Sequence, residues 1–395
     1  MRIAIASKFF YRRGGAEVHA IDLESALRRR GHETAVLAMA HDDNIIQTFN
    51  YYDVRSVNPF GSPAEQIKAS LRMLGGAGAR ARAVEMLENF HPDAVHLHNV
   101  HSYLSPVVAA EAKKRGVKVV WTLHDYKLVC PAYSFMRGGE LCELSRSKIG
   151  CVLRNRCLRG RVVPSAGAWI ESLKWNRRAL AATVDRFICP SVFMLNKMKE
   201  AGFPEEKLSV LPNFYSGSES TVKRALEKGQ RKEVVYVGRL SSEKGIEVLL
   251  EASKGREWEV TIIGTGEDED QLRKKYKEYP NIKFEGKQPK EVVFERLASA
   301  RLLVLPSICF ENSPLSVIEA LSCGTPVVGS SIGGIPELIP ATDGEVFEAG
   351  NALALRVAVE KALSRTYDYN DIAARARLKF SEENYIENLL NLYRL

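Results

Sequence analysis

Glu311 and Glu319 are separated by seven residues that include Asn312-Ser313-Pro314-Leu315-Ser316. Ser313 is a good N-cap and Pro314 suits a first helical position, so a helix is expected to begin there. It follows directly on the apolar strand Leu302-Leu303-Val304-Leu305-Pro306. A helix starting at the carboxyl end of a parallel strand presents unpaired N–H donors and a partial positive charge, the usual seat of a diphosphate in an open α/β sheet. Glu311 before the helix and Glu319 in its second turn can bracket such a ligand. Each carboxylate accepts hydroxyl protons through both oxygens, so one can hold a sugar and the other a ribose. A capped surface helix carrying an incidental glutamate pair is the simpler alternative.

A second stretch supplies cations. Val234-Val235-Tyr236-Val237-Gly238-Arg239 reads as a buried strand ending in Gly-Arg, followed by Ser241-Ser242-Glu243-Lys244-Gly245 and an apolar-periodic helix from Ile246 to Ala252. Arg239 and Lys244 both emerge at that strand end and can reach a diphosphate through charge-assisted hydrogen bonds. Gly238 to Gly245, the Glu311/Glu319 spacing and Gly333-Gly334-Ile335-Pro336-Glu337 together resemble family-four retaining glycosyltransferases of the GT-B fold, the glycosyltransferase group 1 type. The N-terminal half carries the resemblance too, in Gly14-Gly15-Ala16-Glu17, in Phe90-His91-Pro92-Asp93-Ala94-Val95-His96-Leu97-His98-Asn99 and in Trp121-Thr122-Leu123-His124-Asp125.

The resemblance implies two Rossmann-like domains with parallel sheets facing across a cleft. It implies transfer of a sugar from a UDP- or GDP-linked donor to a hydroxyl acceptor, with retention at the anomeric carbon and no metal or other cofactor. In that reading Arg239, Lys244 and the amides near Ser313 to Ser316 stabilise the departing diphosphate. Glu311 holds the transferred sugar, Glu319 the ribose, and His124 contacts the donor sugar. Asn312 departs from the pattern, where a Gly is commoner, and the sugar contacts are affected there. A phosphorylase or epimerase on the same fold, or a module that binds nucleotide-sugar without turnover, are the alternatives.

A dehydrogenase also has two nucleotide-binding-like halves, so the glycine spacing matters. Gly14-Gly15 and Gly264-Thr265-Gly266 follow strands but lack the third Gly of a dinucleotide fingerprint. Gly264 and Gly266 are instead expected to admit the nucleotide's close approach, Lys287 after Gly286 to contact the base, and Gly14 and Gly15 to close over the diphosphate or acceptor. Tight turning alone would also explain them. All eight histidines occur at or before His124, so imidazole chemistry must come from the first half. His96, His98 and His101 are expected to line a cleft rather than bind metal, since no carboxylate or Cys completes the set.

Alternating strand and helix patterns run twice along the chain, the signature of parallel sheets. Strands are expected at 3–6, 34–37, 94–98, 117–123, 187–190 and 208–211, then at 234–237, 260–263, 282–285, 302–305 and 326–329. A helix is expected at 16–30. A linker is expected from Ser216 to Arg231, giving domains of 1–213 and 214–377, with 378–395 crossing back onto the first. Asp268-Glu269-Asp270 is expected to supply acids to a helix start.

The 395 residues are 45% apolar and carry a formal charge of +8, enough for two cores. No run approaches the ~18 apolar residues of a membrane helix, and the start is too short for a signal-peptide core, so a cytoplasmic protein is expected, peripheral at the membrane's inner face. Residues 1–213 hold 31 Lys and Arg against 20 Asp and Glu. The excess is densest around Arg154, Arg156, Arg161, Lys174 and Arg177, among Val152, Trp169, Ile170 and Trp175. Such a surface can meet anionic lipid or a phosphate-bearing, lipid-linked acceptor, or can be simply solvated. No nucleic-acid-binding signature accompanies it. Cys130, Cys142, Cys151 and Cys157 cluster in one irregular basic segment and can bind zinc, form disulfides or stay free, whereas Cys189, Cys309 and Cys323 read as small core residues.

Overall fold

A computed structural model of the chain describes residues 1–48, 50–58, 61–146, 149–158, 160–217 and 233–395. The chain divides into two compact units. Met1–Arg137, Leu141–Leu211 and Tyr385–Leu395 form the first, and Gly138–Glu140 with Pro212–Asn384 the second. Most of the expected linker, at 218–232, lies outside the described residues.

The first unit contains strands β1 (Arg2–Ala6), β2 (Glu33–Met39), β3 (Tyr51–Val54), β4 (Ala94–Leu97), β5 (Lys118–Thr122), β8 (Arg186–Cys189) and β9 (Leu208–Val210). They form a parallel sheet in the order β3-β2-β1-β4-β5-β8-β9. A short pair, β6 (Met136–Arg137) and β7 (Glu140–Leu141), stands apart from it. The second unit contains β10 (Val234–Val237), β11 (Val260–Ile263), β12 (Ile282–Gly286), β13 (Leu302–Leu305), β14 (Val327–Ser330) and β15 (Gly344–Phe347), in the order β12-β11-β10-β13-β14-β15. All its pairings are parallel.

Strands buried on both faces must be apolar throughout, because helices cover both sides of a parallel sheet. Val260, Ile262, Leu302, Leu303 and Val304 are fully buried for that reason. Each such side chain contributes roughly 1.5–3 kcal/mol by leaving water. In both sheets the order reverses beside the first strand, between β1 and β4 and between β10 and β13. Ligands in open α/β sheets bind at the carboxyl ends of the strands flanking that switch point.

Of the strands in the two large sheets, β3 and β15 lie outside the expected set, and both are sheet edges; the short pair β6–β7 lies outside it as well. Edge strands are short and partly exposed, so their hydrophobic pattern is weak. The helix expected to start at Pro314 runs Leu315–Ser322, with Pro314 at the N-cap and no side-chain cap bond. Ser313 is therefore not the cap: its hydroxyl accepts from Asn213 N–H at 3.3 Å and its carbonyl from Asn213 Nδ2 at 2.8 Å.

Candidate active site

The second unit places its charged residues on two loops at the switch point. After β10 the chain passes through Gly238 and Arg239 into a 3-10 turn, Ser242–Lys244, then through Gly245 into the helix Ile246–Ser253. Gly245 has φ of +64°, and a Cβ there would collide with the Pro306 carbonyl oxygen. Glycine thus lets the loop after β10 lie directly on the loop after β13. Ile308 N–H donates to the Glu243 carbonyl at 3.1 Å across the same junction.

That approach brings Lys244 Nζ to 2.6 Å from Glu311 Oε1, which also accepts from Ser307 Oγ at 2.8 Å. Burial works against both charges, but the opposed charge and hydrogen bond win, so the Glu311 carboxyl is held below and the Lys244 ammonium above its ordinary pKa. Gly333 and Gly334 clasp the backbone of Glu311 from the other side. Gly333 sits at φ of +62°, where a Cβ would meet Glu311 main-chain atoms, and Gly334 N–H donates to the Glu311 carbonyl at 2.7 Å.

Arg239 leaves the same strand end. Its guanidinium donates to Glu243 Oε1 at 2.7 Å, and its carbonyl accepts from the buried Tyr236 hydroxyl at 2.8 Å. Leu315 and Ser316 begin the helix after β13, where the first two amides have no acceptor within the helix, while Val317 N–H donates to the Pro314 carbonyl at 3.1 Å. Glu319 sits in the second turn of this helix, partly exposed. Gly264 and Gly266 serve contacts between protein loops: a Cβ on either would strike the carbonyl of Gly238 or of Leu240. The close approach they permit here is between neighbouring loops. Lys287 follows β12 and is exposed. Asp268 stands at the N-cap of the helix Glu269–Tyr276, with Glu269 and Asp270 in its first turn.

The first unit gathers imidazoles at its own switch point. His96 lies in β4, His98 just beyond it and His124 just beyond β5. His98 Nδ1 and His124 Nε2 are 2.9 Å apart, and the rings of His96 and His98 stack at 4.4 Å. His19, from the helix Gly15–Arg29, joins them, its ring 5.2 Å from that of His124. The residues of the C-terminal helix complete the group: Tyr385 Oη lies 3.0 Å from His19 Nε2 and Tyr393 Oη 2.6 Å from His96 Nδ1. Burial makes the imidazolium form unfavourable for all of them. His19 is pushed down to about 4, His96 to about 3, and His98 and His124 well below their ordinary value. The ligand atoms of His19, His98 and His124 lie within 4.8 Å of one another, a spacing compatible with a metal ion. His101 is apart, stacked on Trp121 at 4.8 Å.

Gly14 caps the helix Gly15–Arg29 in extended conformation with no side-chain bond, and Glu17 stands in the first turn with its carboxylate close to Gly14. Lys8 in that loop is pushed down to about 8, by burial first and by Arg13 second. Asp125, next to His124, is raised by burial and accepts from Lys127 N–H at 2.9 Å. Sequence reasoning passed over Lys8, His19, Glu243 and Ser307. Glu243 and His19 lie within or beside the quoted motifs, but only the fold shows what each faces.

Two Rossmann-type units in one chain, each with its polar residues at the switch point, define a GT-B-fold glycosyltransferase. The family described as Glycosyltransferase Family 4 matches residues 13–216, and that described as glycosyl transferases group 1 matches residues 218–379. The chain belongs to Glycosyltransferase Family 4, with a group 1 glycosyltransferase second half. It is 23% identical to an uncharacterized glycosyltransferase of Methanocaldococcus jannaschii over 97% of this chain and 94% of that protein. It is 30% identical to the amylovoran biosynthesis glycosyltransferase AmsK of Erwinia amylovora over 48% of this chain and 50% of AmsK. Among solved structures, Anabaena HepE in complex with UDP and glucose superposes with a TM-score of 0.68 at 19% identity, over 99% of this chain and 98% of HepE. Sucrose-phosphate synthase of Thermosynechococcus elongatus does so with a TM-score of 0.70 at 18% identity, over 100% and 98%. These two likenesses concern the fold.

Proposed function

We propose that the chain is a retaining, metal-independent glycosyltransferase that moves a sugar from a UDP- or GDP-linked donor to a hydroxyl acceptor in polysaccharide or glycolipid assembly. The Lys244–Glu311 pair beside the uncapped first turn of Leu315–Ser322 carries this reading. Positive charge and unpaired amides converge there, at the strand ends where α/β sheets bind phosphates. The UDP and glucose held by HepE and the polysaccharide named for AmsK support the donor class and the pathway.

As the bond to the anomeric carbon breaks, charge builds on the β-phosphate of the leaving nucleoside diphosphate. Lys244, Arg239 and the amides of Leu315 and Ser316 stabilise that charge, the role a metal ion plays elsewhere. Glu311 keeps Lys244 protonated and in place. A carboxylate accepts up to about four hydrogen bonds, so Glu311 can hold Lys244 and Ser307 and still accept from a sugar hydroxyl. Asn312 stands beside it. Glu319 takes the ribose hydroxyls and Lys287 the base. The glycines at 238, 264 and 266 set the loop under the nucleotide, and Gly14 and Gly15 in the first unit close over the diphosphate or acceptor. His124 stays neutral and hydrogen-bonds the transferred sugar.

The acceptor is assigned to the first unit. The helices Pro63–Met73 and Val162–Lys174 pack together and leave Ile67, Leu71, Val163, Ile170 and Leu173 exposed beside Lys68, Arg72 and Lys174. A cavity of about 320 Å³ lined by Arg55, Lys68 and Arg72 runs along the first of these helices. Exposed apolar and basic side chains suit the face of an anionic membrane, and the cavity suits a lipid-linked phosphate acceptor. No helix among the described residues is long and apolar enough to cross a membrane. Sedimentation with anionic vesicles but not neutral ones is expected, and equal behaviour with both would remove this surface from the proposal.

Thermal unfolding against UDP, GDP, ADP, their sugar conjugates and NAD tests the donor assignment. A ligand at a hundred times its Kd stabilises by about 2.7 kcal/mol. Stabilisation by one class of sugar nucleotide is expected, and stabilisation by NAD alone would contradict the proposal.

A further inference from the structure

Alternate residues of a strand share a face, and His96 and His98 accordingly stack beside β5, the parallel neighbour of β4. Two rungs result, each joining residues 26 positions apart. His96 Nε2 lies 2.8 Å from Thr122 Oγ1, and His98 Nδ1 lies 2.9 Å from His124 Nε2. The main chain of His98 is held from two sides: its N–H donates to the Ala6 carbonyl at 2.9 Å, and its carbonyl accepts from Trp121 Nε1 at 2.8 Å. The rings of His98 and His124 are stacked at 5.2 Å. His98 is fully buried, whereas His124 is partly exposed.

A neutral imidazole has one N–H and one bare nitrogen, and the partners of both decide which is which. Two ring nitrogens at 2.9 Å share a single proton, because two protons or two lone pairs facing each other repel. The tautomers of His98 and His124 are therefore coupled. If His98 Nδ1 carries the shared proton, His98 Nε2 is bare and His124 has its own proton at Nδ1. If His124 Nε2 carries it, His98 has an N–H at Nε2 and His124 Nδ1 is bare. His98 Nε2 decides between the two, since it is buried with no hydrogen-bond partner. A stranded N–H is rarer in folded proteins than an under-satisfied acceptor, which favours the first arrangement. His96 has no such constraint: its nitrogens face the hydroxyls of Tyr393 and Thr122, which can donate or accept. Burial keeps His98 and His124 uncharged, well below the ordinary imidazole pKa, so a doubly protonated ring does not compete.

We propose that His98 is a positioning residue that locks His124 as its Nδ1–H tautomer, so that His124 meets the transferred sugar as a hydrogen-bond donor. The assignment rests on His124 being a contact of the transferred sugar, as proposed for the reaction. With Nε2 engaged by His98, Nδ1 is the nitrogen left to a ligand. A donor there selects an oxygen that can accept: a ring oxygen, a carboxylate, or a hydroxyl that passes its own proton to another group. A protonated amine at that position of the sugar is rejected, because N–H would face N–H. The lock also removes His124 as a general base. Its bare nitrogen is occupied by His98, so the acceptor's proton leaves by another route.

The test uses the full chain labelled with nitrogen-15 histidine at neutral pH, without ligand. Long-range proton–nitrogen correlation spectra distinguish a protonated ring nitrogen from a bare one, and the signals lost in His124→Ala assign that ring. Protons on Nδ1 of both His124 and His98 are expected, and a proton on His124 Nε2 would overturn the proposal. Two substitutions of His98 separate positioning from packing. In His98→Asn the amide nitrogen replaces Nδ1 as donor, so His124 should keep Nδ1–H; in His98→Leu the lock is gone and Nε2–H should appear. Calorimetry with UDP-glucose and GDP-mannose, each against its bare nucleoside diphosphate, adds a second readout. For the sugar nucleotide that binds the wild-type chain, His98→Leu should weaken binding roughly three- to tenfold, the worth of about one hydrogen bond. The bare nucleotide should bind unchanged, and His98→Asn should stay near wild type. Equal losses in the two variants would reduce His98 to packing and overturn the proposal. If His98→Leu does not fold, the wild-type spectrum decides alone. That spectrum needs no sugar nucleotide, so Nδ1–H at His124 in a chain that binds none would refute the proposed reaction and not the lock.

Discussion

Lys244 Nζ and Glu311 Oε1 are 2.6 Å apart although they stand 67 positions from one another in the chain, and each holds the other in its charged form. The contact exists because Gly245 lets one strand-end loop rest on the carbonyl of Pro306 in the other. A cation is thereby fixed at the carboxyl ends of β10 and β13 before any ligand arrives. Preorganised charge of this type costs no reorganisation when a leaving group develops charge.

Lys244→Ala should reduce turnover by about 10²–10³, the range for losing one preorganised electrostatic contact. It should cost stability only about 1–3 kcal/mol, because it leaves a partly buried carboxylate without its partner. Glu311→Gln should lower turnover too, and the double variant should lose less than the sum of the two. Steady-state kinetics with denaturant titration separates these effects, and transfer unchanged in Lys244→Ala would remove it from the phosphate role.

Glu319→Ala should act mainly on nucleotide affinity. Losing hydrogen bonds to a charged acceptor costs about 1.5–3 kcal/mol, so Kd for the nucleoside diphosphate should rise roughly tenfold or more. Calorimetry reads this directly. An unaltered Kd would place the ribose elsewhere.

Much of this arrangement was legible in the sequence. Five of the six strands of the second sheet could be read from the sequence, because Leu302–Leu305 is a continuous apolar run and Val260–Ile263 is apolar apart from Thr261. The parallel two-sheet class followed from the alternation of strand and helix. Edge strands β3 and β15 were hidden by weak patterns. The helix cap was misread because Ser313 found a partner in Asn213, a hundred residues away. Glu311 was visible as a candidate, but its partner Lys244 and the glycine clasp at Gly333-Gly334 are long-range facts. The same holds for His19, which on a helix surface pattern looks like any buried residue until Tyr385 and His124 are placed around it.

The buried histidines predict an acid-side loss of stability. His19 and His96, near 4 and 3 in the folded chain, have unfolded values of about 6.5. Between those limits the unfolded chain binds more protons, so stability is fully present above about pH 6.5 and falls as pH drops toward 4. Each such group contributes a slope of up to about 1.4 kcal/mol per pH unit. Urea titrations at pH 7.5 and 5.5 should show the loss, and His96→Asn should flatten it. A pH-independent midpoint across that window would contradict the buried neutral imidazoles.

Gly245→Ala should be severely destabilising for a single methyl group. It forces a side chain into a left-handed conformation and against the Pro306 carbonyl, at a cost of roughly 2–3 kcal/mol or more. Thermal unfolding of the variant should fall well below that of Gly255→Ala, where φ is +63° but nothing lies within 4 Å. Equal losses at the two positions would show that loop contact is unimportant.

The central claim is that this chain transfers a sugar with retention, using protein cations where other enzymes use a metal. Once the stabilising donor is known, proton NMR of the transfer product, with no magnesium or manganese added, measures the anomeric configuration and the metal requirement together. The account predicts a product with the donor's configuration, formed at the same rate with or without added metal. An inverted product, or transfer that begins only when a divalent ion is supplied, would contradict it.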